Sequence, residues 1–247
     1  MDSKFYFKGL VIDQFPLLES LEAVQKRSET EPVKVFWVNA HSINVSEENP
    51  KFKEALQEAT FLFNDGAGIE IAAFLLNSPS KTNLNGTDWI PAFLDSLTIN
   101  NTNATLFLLG ADQTVIKKAA EACKKNWSKL NLVGFHHGYF KDPETVLQEI
   151  ESTRPSILLV GMGVPLQELF IVDHWERIKK AGVRIAIAGG AVFDFMSGTK
   201  PRAPLWLRKL RLEWLFRLSV EPSRLTKRYL IGNPKFLWLV IKEWFNK

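Results

Sequence analysis

Cysteine is nearly absent. The chain of 247 residues has one, Cys123, so an internal disulfide is excluded, which fits a reducing compartment. Cys123 lies at helical spacing in AAEACKK and reads as a small core residue, because buried thiols are usually inert. No apolar run approaches the roughly 20 residues that span a bilayer, and the opening MDSKFYFKGLVID lacks the apolar stretch of a signal peptide. A soluble or peripheral protein is expected. Nucleotide fingerprints are missing too. Gly66-Ala67-Gly68 and Gly161-Met162-Gly163 each lack the third glycine of GxGxxG, and no P-loop occurs, so a dinucleotide oxidoreductase has no motif support. There is no Asp-x-Asp pair to hold a divalent ion. The adjacent His136 and His137 end a strand, where successive side chains point to opposite faces and cannot easily share one metal. No metal and no cofactor is expected.

What is present is a charge asymmetry. Residues 196–247 hold 12 Lys and Arg against 3 Asp and Glu, a net of +9, while residues 1–195 hold 19 against 24, a net of −5. Four of the eight tryptophans, Trp206, Trp214, Trp238 and Trp244, lie in the basic tail. A mildly acidic body of residues 1–195 with a basic, aromatic appendage of residues 196–247 suits an anionic surface.

Along the body, short apolar runs alternate with helical patterns. Strands are predicted at 34–38, 60–63, 105–109, 132–135, 157–160 and 184–188. They lack polar alternation, as strands buried on both faces do. Helices are predicted at 50–59, 66–76, 88–97, 114–127, 143–153 and 166–181. The alternation predicts an α/β fold with a mainly parallel sheet and helices on both faces. Small or polar residues follow each strand: Asn39, Asn64-Asp65-Gly66, Gly110, His136-His137-Gly138, Gly161-Met162-Gly163 and Gly189-Gly190. Ligands of open α/β sheets bind outside that carboxyl edge. Glycines there let the backbone approach a ligand, and helix N-termini offer N–H groups to phosphate. Each site alone also reads as a tight turn; the six together favour a cleft, with Gly110, Gly161, Gly163, Gly189 and Gly190 as its nucleotide-binding backbone. Asp65 reads either as an N-cap or as a general base. Gln167, at a helix start on the same edge, could bind a sugar hydroxyl or cap.

In the tail, Leu207, Leu210, Trp214 and Leu218 fall on one helical stripe. Asn233-Pro234 reads as the cap and first position of a second helix, 235–245. That helix is apolar nearly all round and too short to cross a bilayer. Its aromatics suit a headgroup region, a contact with the core, or a homo-oligomer contact.

The runs NDGAGI (64–69), NGTDWIP (85–91), LFLLGA (106–111), GFHHGYF (134–140), LLVGMGVPLQELFI (158–171), IAGGAVFDFMSG (187–198), PRAPLWLRKLRLEWLFRL (201–218) and EPSRLTKRYLIGNPKFL (221–237) occur in this order. With them the chain closely resembles the WecG/TagA/CpsF family, glycosyltransferase family 26, over about residues 5–245. The resemblance implies a Rossmann-like core with a C-terminal helical appendage that closes over the active site and contacts the membrane. It implies an inverting, metal-independent transfer from a UDP-sugar to a sugar on undecaprenyl diphosphate, at the cytoplasmic face of a bacterial membrane, in the synthesis of teichoic acid or another surface polysaccharide. Asp65 matches the family's catalytic base, Asn39 an active-site Asn and Gln167 a Gln in its Pro-x-Gln-Glu segment. Arg217, Arg224 and Arg228 resemble tail arginines that hold the lipid diphosphate. Trp37 stands where many relatives have Thr, and His41 where many have Glu, which bears on sugar contacts rather than on the reaction class. The competing reading is a non-catalytic phosphate- or nucleic-acid-binding protein with a basic arm; the cleft Asp and the tail tryptophans favour the enzyme, with no nucleic-acid partner.

Overall fold

A computed structural model describes residues 3–78, 83–100 and 103–245. Eight strands form one sheet: β1 (Ser3–Phe7), β2 (Leu10–Gln14), β3 (Val33–Val38), β4 (Phe61–Asn64), β5 (Thr105–Gly110), β6 (Asn131–His136), β7 (Ile157–Gly161) and β8 (Ile185–Ala188). Their order is β1-β2-β4-β3-β8-β7-β5-β6. Every pairing is parallel except that of β1 with β2. Both faces are covered, as unbroken apolar strands require. In β3, Val33, Val35 and Trp37 enter one core cluster, while Phe36 and Val38 enter the other.

The body helices are α1 (Leu17–Thr30), α2 (Ala40–Glu48), α3 (Pro50–Gln57), α4 (Ala67–Leu75), α5 (Gly86–Ile99), α6 (Gln113–Asn126), α7 (Glu144–Thr153), α8 (Leu166–Asp173), α9 (Trp175–Lys180) and α10 (Val192–Met196). The tail adds α11 (Leu205–Lys209), α12 (Glu213–Val220), α13 (Pro222–Thr226), a π-helical turn (Lys227–Ile231) and α14 (Gly232–Phe245). All six predicted strands and the predicted α/β architecture are present, and the core is Rossmann-like. Cys123 is buried, and burial pushes its thiol up to about 11.

The sequence reading needs several corrections. It missed β1 and β2, which mix buried and exposed residues around a Lys8-Gly9 turn with φ of 52° and 75°; that is the type I′ hairpin geometry. It missed α1 and α2 as well. The single helix at 166–181 is two, broken at His174. The tail stripe of Leu207, Leu210, Trp214 and Leu218 is interrupted between α11 and α12, where Arg211 has a φ of 62°. Asn233-Pro234 does not start a helix, because the run is helical from Pro222 to Phe245. The π-turn just before Pro234 opens the ladder where proline lacks an N–H.

Apolar packing and polar contacts both join the tail to the body. Phe236, Leu239 and Val240 of α14 enter the cluster that holds Phe5 and Phe7, with the Phe7 and Phe236 rings edge-on at 5.9 Å. Pro91 inside α5 removes the N–H that would bond the Thr87 carbonyl. Arg202 of the tail donates to that carbonyl at 3.3 Å and pairs with Asp88 at 2.8 Å.

Candidate active site

Four neighbouring strands, β4, β3, β8 and β7, end side by side at the carboxyl edge. Asp65 follows β4 and Asn39 follows β3. The tail folds back over this edge and closes a cleft of about 380 Å³. Its floor includes Asn39, His41, Asp65 and Gly68, and its roof includes Arg208, Arg217, Arg228 and Tyr229.

Asp65 is half-buried. It is not spent on capping: the N-cap of α4 is Gly66, with no side-chain capping bond. Asn39 caps α2 instead. Its Oδ1 accepts from the N–H groups of His41 at 3.0 Å and Ser42 at 3.1 Å. That bond fixes which end of the amide is which, so Nδ2 donates to Asp65 Oδ2 at 3.3 Å. Burial raises the Asp65 carboxyl above the usual range, while Arg217, the Asn39 bond and Arg228 pull it back. The result is a carboxylate that is more basic than an exposed one yet faces two cations, which suits a general base.

The two roof arginines that act on Asp65, Arg217 and Arg228, differ. Arg217 is committed to Glu213, at 2.7 Å. No ion pair of Arg228 is found among the described residues; its Nε is buried without a partner, and its guanidinium lies 5.8 Å from the Tyr229 ring centroid. A desolvated cation in a cleft is prepared for an anion. It sits on the π-turn, where the wider turn re-aims side chains. His41 beside it is held neutral, pushed down to about 4 by burial and then by Arg228.

Other predicted site residues lie elsewhere. Arg224 is exposed and pairs with Glu221 at 2.7 Å, off the cleft. Gln167 is buried, and both ends of its amide bond to protein: Oε1 to the Gly163 and Gly190 N–H groups and Nε2 to Glu168. Gly110, Gly161, Gly163, Gly189 and Gly190 sit on the same sheet edge but do not line the cleft around Asp65. Gly110 and Gly161 are needed for a close approach of β5 to β7: a Cβ on Gly110 would fall 2.2 Å from the Gly161 oxygen. The N–H groups of Gly163 and Gly190 are given to Gln167. Open space remains beside both, with no atom within 4 Å of an added Cβ. His136 and His137 bond to each other's neighbourhood, through His136 Nδ1 to the His137 carbonyl and the Tyr139 N–H to His137 Nδ1. Among the described residues no group of three metal-ligating side chains occurs.

Sequence reasoning missed Asn83, Asn85, Tyr229 and Glu213 as cleft residues. Asn83 Oδ1 accepts from Gly66 N at 3.1 Å, and Asn85 caps α5. Trp37 is buried rather than in the cleft; its indole N–H donates to the Leu84 carbonyl, bracing this segment from below.

A cleft at the carboxyl edge of a parallel sheet, with a carboxylate of raised pKa facing cations, is the arrangement of an α/β enzyme site. The chain belongs to the glycosyl transferase WecG/TagA/CpsF family, whose model matches residues 5–247, and it is a glycosyltransferase. It is 30% identical over 196 residues to an N-acetylglucosaminyldiphosphoundecaprenol N-acetyl-beta-D-mannosaminyltransferase of Bacillus spizizenii, covering 79% of this chain and 74% of that one. It is 26% identical over 238 residues to the Staphylococcus aureus protein of the same name, covering 95% and 91%.

Proposed function

We propose that this enzyme moves a hexose of the N-acetylmannosamine type from a UDP-sugar to a sugar, N-acetylglucosamine in the named relatives, on undecaprenyl diphosphate, with inversion and without a metal. The observation that carries this reading is Asp65: half-buried, free of capping duty, held by Asn39 and facing Arg217 and Arg228. Ionised Asp65 takes the proton of the acceptor hydroxyl as that oxygen attacks the anomeric carbon. The new C–O bond forms as the bond to UDP breaks on the opposite face, and the proton ends on Asp65. Arg228, with Arg217, supplies positive charge to the acceptor diphosphate. The glycine loops after β7 and β8 offer the open backbone surface beside which the nucleotide lies.

The lipid part of the acceptor suggests where the protein works. The cleft mouth includes the exposed apolar Ile71, Trp214 and Leu237. They continue into Trp238, Ile241, Trp244 and Phe245 on the outer face of α14, all at least half exposed. No helix among the described residues is long and apolar enough to cross a membrane. Peripheral attachment to the anionic inner leaflet fits this aromatic, basic surface. The test is UDP release with UDP-N-acetylmannosamine and a short-chain diphosphate-linked N-acetylglucosamine, with and without EDTA, and the anomeric configuration of the product. The expectation is an inverted linkage and a rate within about twofold in EDTA, since no metal-assisted step of several kcal/mol is in use. A retained configuration, or a loss that Mg²⁺ restores, overturns it.

A further inference from the structure

Among the described residues, Glu168 is an ionisable side chain with no exposed surface at all. No ion pair of it is found among them. One carboxyl oxygen, Oε1, accepts from Gln167 Nε2 at 2.9 Å, and the other is buried with no partner. A carboxyl in that position is costly and contributes little to the fold, so its use lies in what it holds. What it holds is one end of the Gln167 amide. The other end, Oε1, accepts two backbone N–H groups from two different loops: Gly163 at 3.2 Å, after β7, and Gly190 at 2.9 Å, after β8.

An amide has a donor end and an acceptor end that are nearly the same shape. Flipped by 180°, Gln167 would set its NH2 against two N–H donors and its oxygen against a carboxyl. The two backbone N–H donors favour the oxygen on their side, and an acceptor at 168 reinforces that orientation by taking the NH2 end. Gly163 and Gly190 both have positive φ, 82° and 58°, with open space where a Cβ would stand. They lie two strands and one strand from Asn39, respectively, at about 4.8 Å per strand, beside the catalytic cleft.

We infer that Glu168 is a positioning residue for the sugar-nucleotide side of the site: it orients the Gln167 amide, and through it clamps the loops of Gly163 and Gly190 into the shape that receives the nucleotide. This rests on the reading of the protein as a UDP-sugar transferase.

The experiment uses the full chain. UDP binding is measured by calorimetry, and KM is measured separately for donor and acceptor, in wild type, Glu168→Met, Glu168→Gln, Gln167→Met and the double Met variant. Glu168→Met removes the acceptor at similar volume. It weakens UDP binding and raises donor KM about tenfold, the worth of a lost hydrogen-bonded anchor, and leaves acceptor KM within about twofold. Its melting temperature holds or rises, because a buried unpaired carboxyl has gone. Glu168→Gln keeps a carbonyl acceptor and restores UDP binding to within about threefold. The double variant is no worse than Gln167→Met alone, since the two act in series. Wild-type UDP affinity in Glu168→Met, an equal loss in Met and Gln variants, or additive losses in the double variant each overturn the inference. Should Glu168→Met unfold, Gln167→Met and Glu168→Gln decide: the first must lose UDP binding and the second keep it. A wild-type protein that binds no UDP overturns the donor reading itself, and this role with it.

Discussion

Asn39 gives Asp65 a hydrogen bond of 3.3 Å while its other amide end caps α2. One side chain thus serves both the fold and the base. Asn39→Asp separates the two. It retains the cap, because Asp caps as well as Asn. It also replaces the donor to Asp65 with a second carboxylate, which raises the Asp65 pKa further. The expected result is a melting temperature close to wild type and a basic shift of the acid limb of the rate profile. Asn39→Ala instead loses the cap and about 1 kcal/mol of stability. An unchanged pH profile in Asn39→Asp would show that the contact with Asp65 is idle.

Asp65→Asn keeps size and removes basicity. Turnover should fall about 10²–10⁴-fold, the usual worth of a general base. Since Asp65 caps nothing, the melting temperature should move little. A variant that keeps more than about a third of its activity removes Asp65 from the role of base.

Arg228 and Arg224 should behave differently. Arg228 is a desolvated guanidinium in the cleft, and Arg224 is an exposed one paired with Glu221. Arg228→Met is expected to raise acceptor KM about tenfold or more, each tenfold being about 1.4 kcal/mol. Arg224→Met should change it by less than about threefold, as exposed pairs contribute about 0–1 kcal/mol. Steady-state kinetics with a short-chain acceptor separate the two; equal effects would remove the distinction.

Deleting residues 200–247 is a poor test of membrane attachment, because α14 buries Phe236, Leu239 and Val240 in the body and the body would lose them. Trp238→Ser with Trp244→Ser changes exposed side chains only. This variant should stay folded, keep its rate on a short-chain acceptor, and lose most of its flotation with anionic liposomes. Full flotation would move the anchor elsewhere.

Burial lifts the Glu168 carboxyl from 4.5 to about 7. The folded protein therefore keeps a proton that the unfolded chain releases, and stability falls as pH rises from about 4.5 through about 7. Glu168→Gln should flatten that segment of a denaturation-midpoint curve. A curve that keeps its slope assigns it to another group.

The strands were legible in the sequence because a strand buried on both faces must be apolar throughout, as in VKVFWV and TLFLLG. The N-terminal hairpin was not, since β1 and β2 each mix buried and exposed positions at an edge where one face meets solvent. Asp65 and Asn39 could be placed at the cleft because the carboxyl edge of a parallel sheet gathers whatever follows each strand. Gln167 occupies that edge as well, yet the structure turns its side chain into the protein to hold two loops.

The sequence by itself determined the strand-helix alternation, the row of small and polar residues at one sheet edge, and the basic aromatic tail, because these depend on residue type and short-range spacing. Only the tertiary structure decided which of those residues meet. Asp65 and Arg228 are distant in sequence and share one cleft because α14 folds back onto the hairpin and α2. Arg224, four residues from Arg228, lies outside it and pairs with Glu221 at the surface. Burial then set the charges, raising Asp65 and holding His41 neutral, since desolvation depends on what covers a side chain and not on its neighbours in sequence.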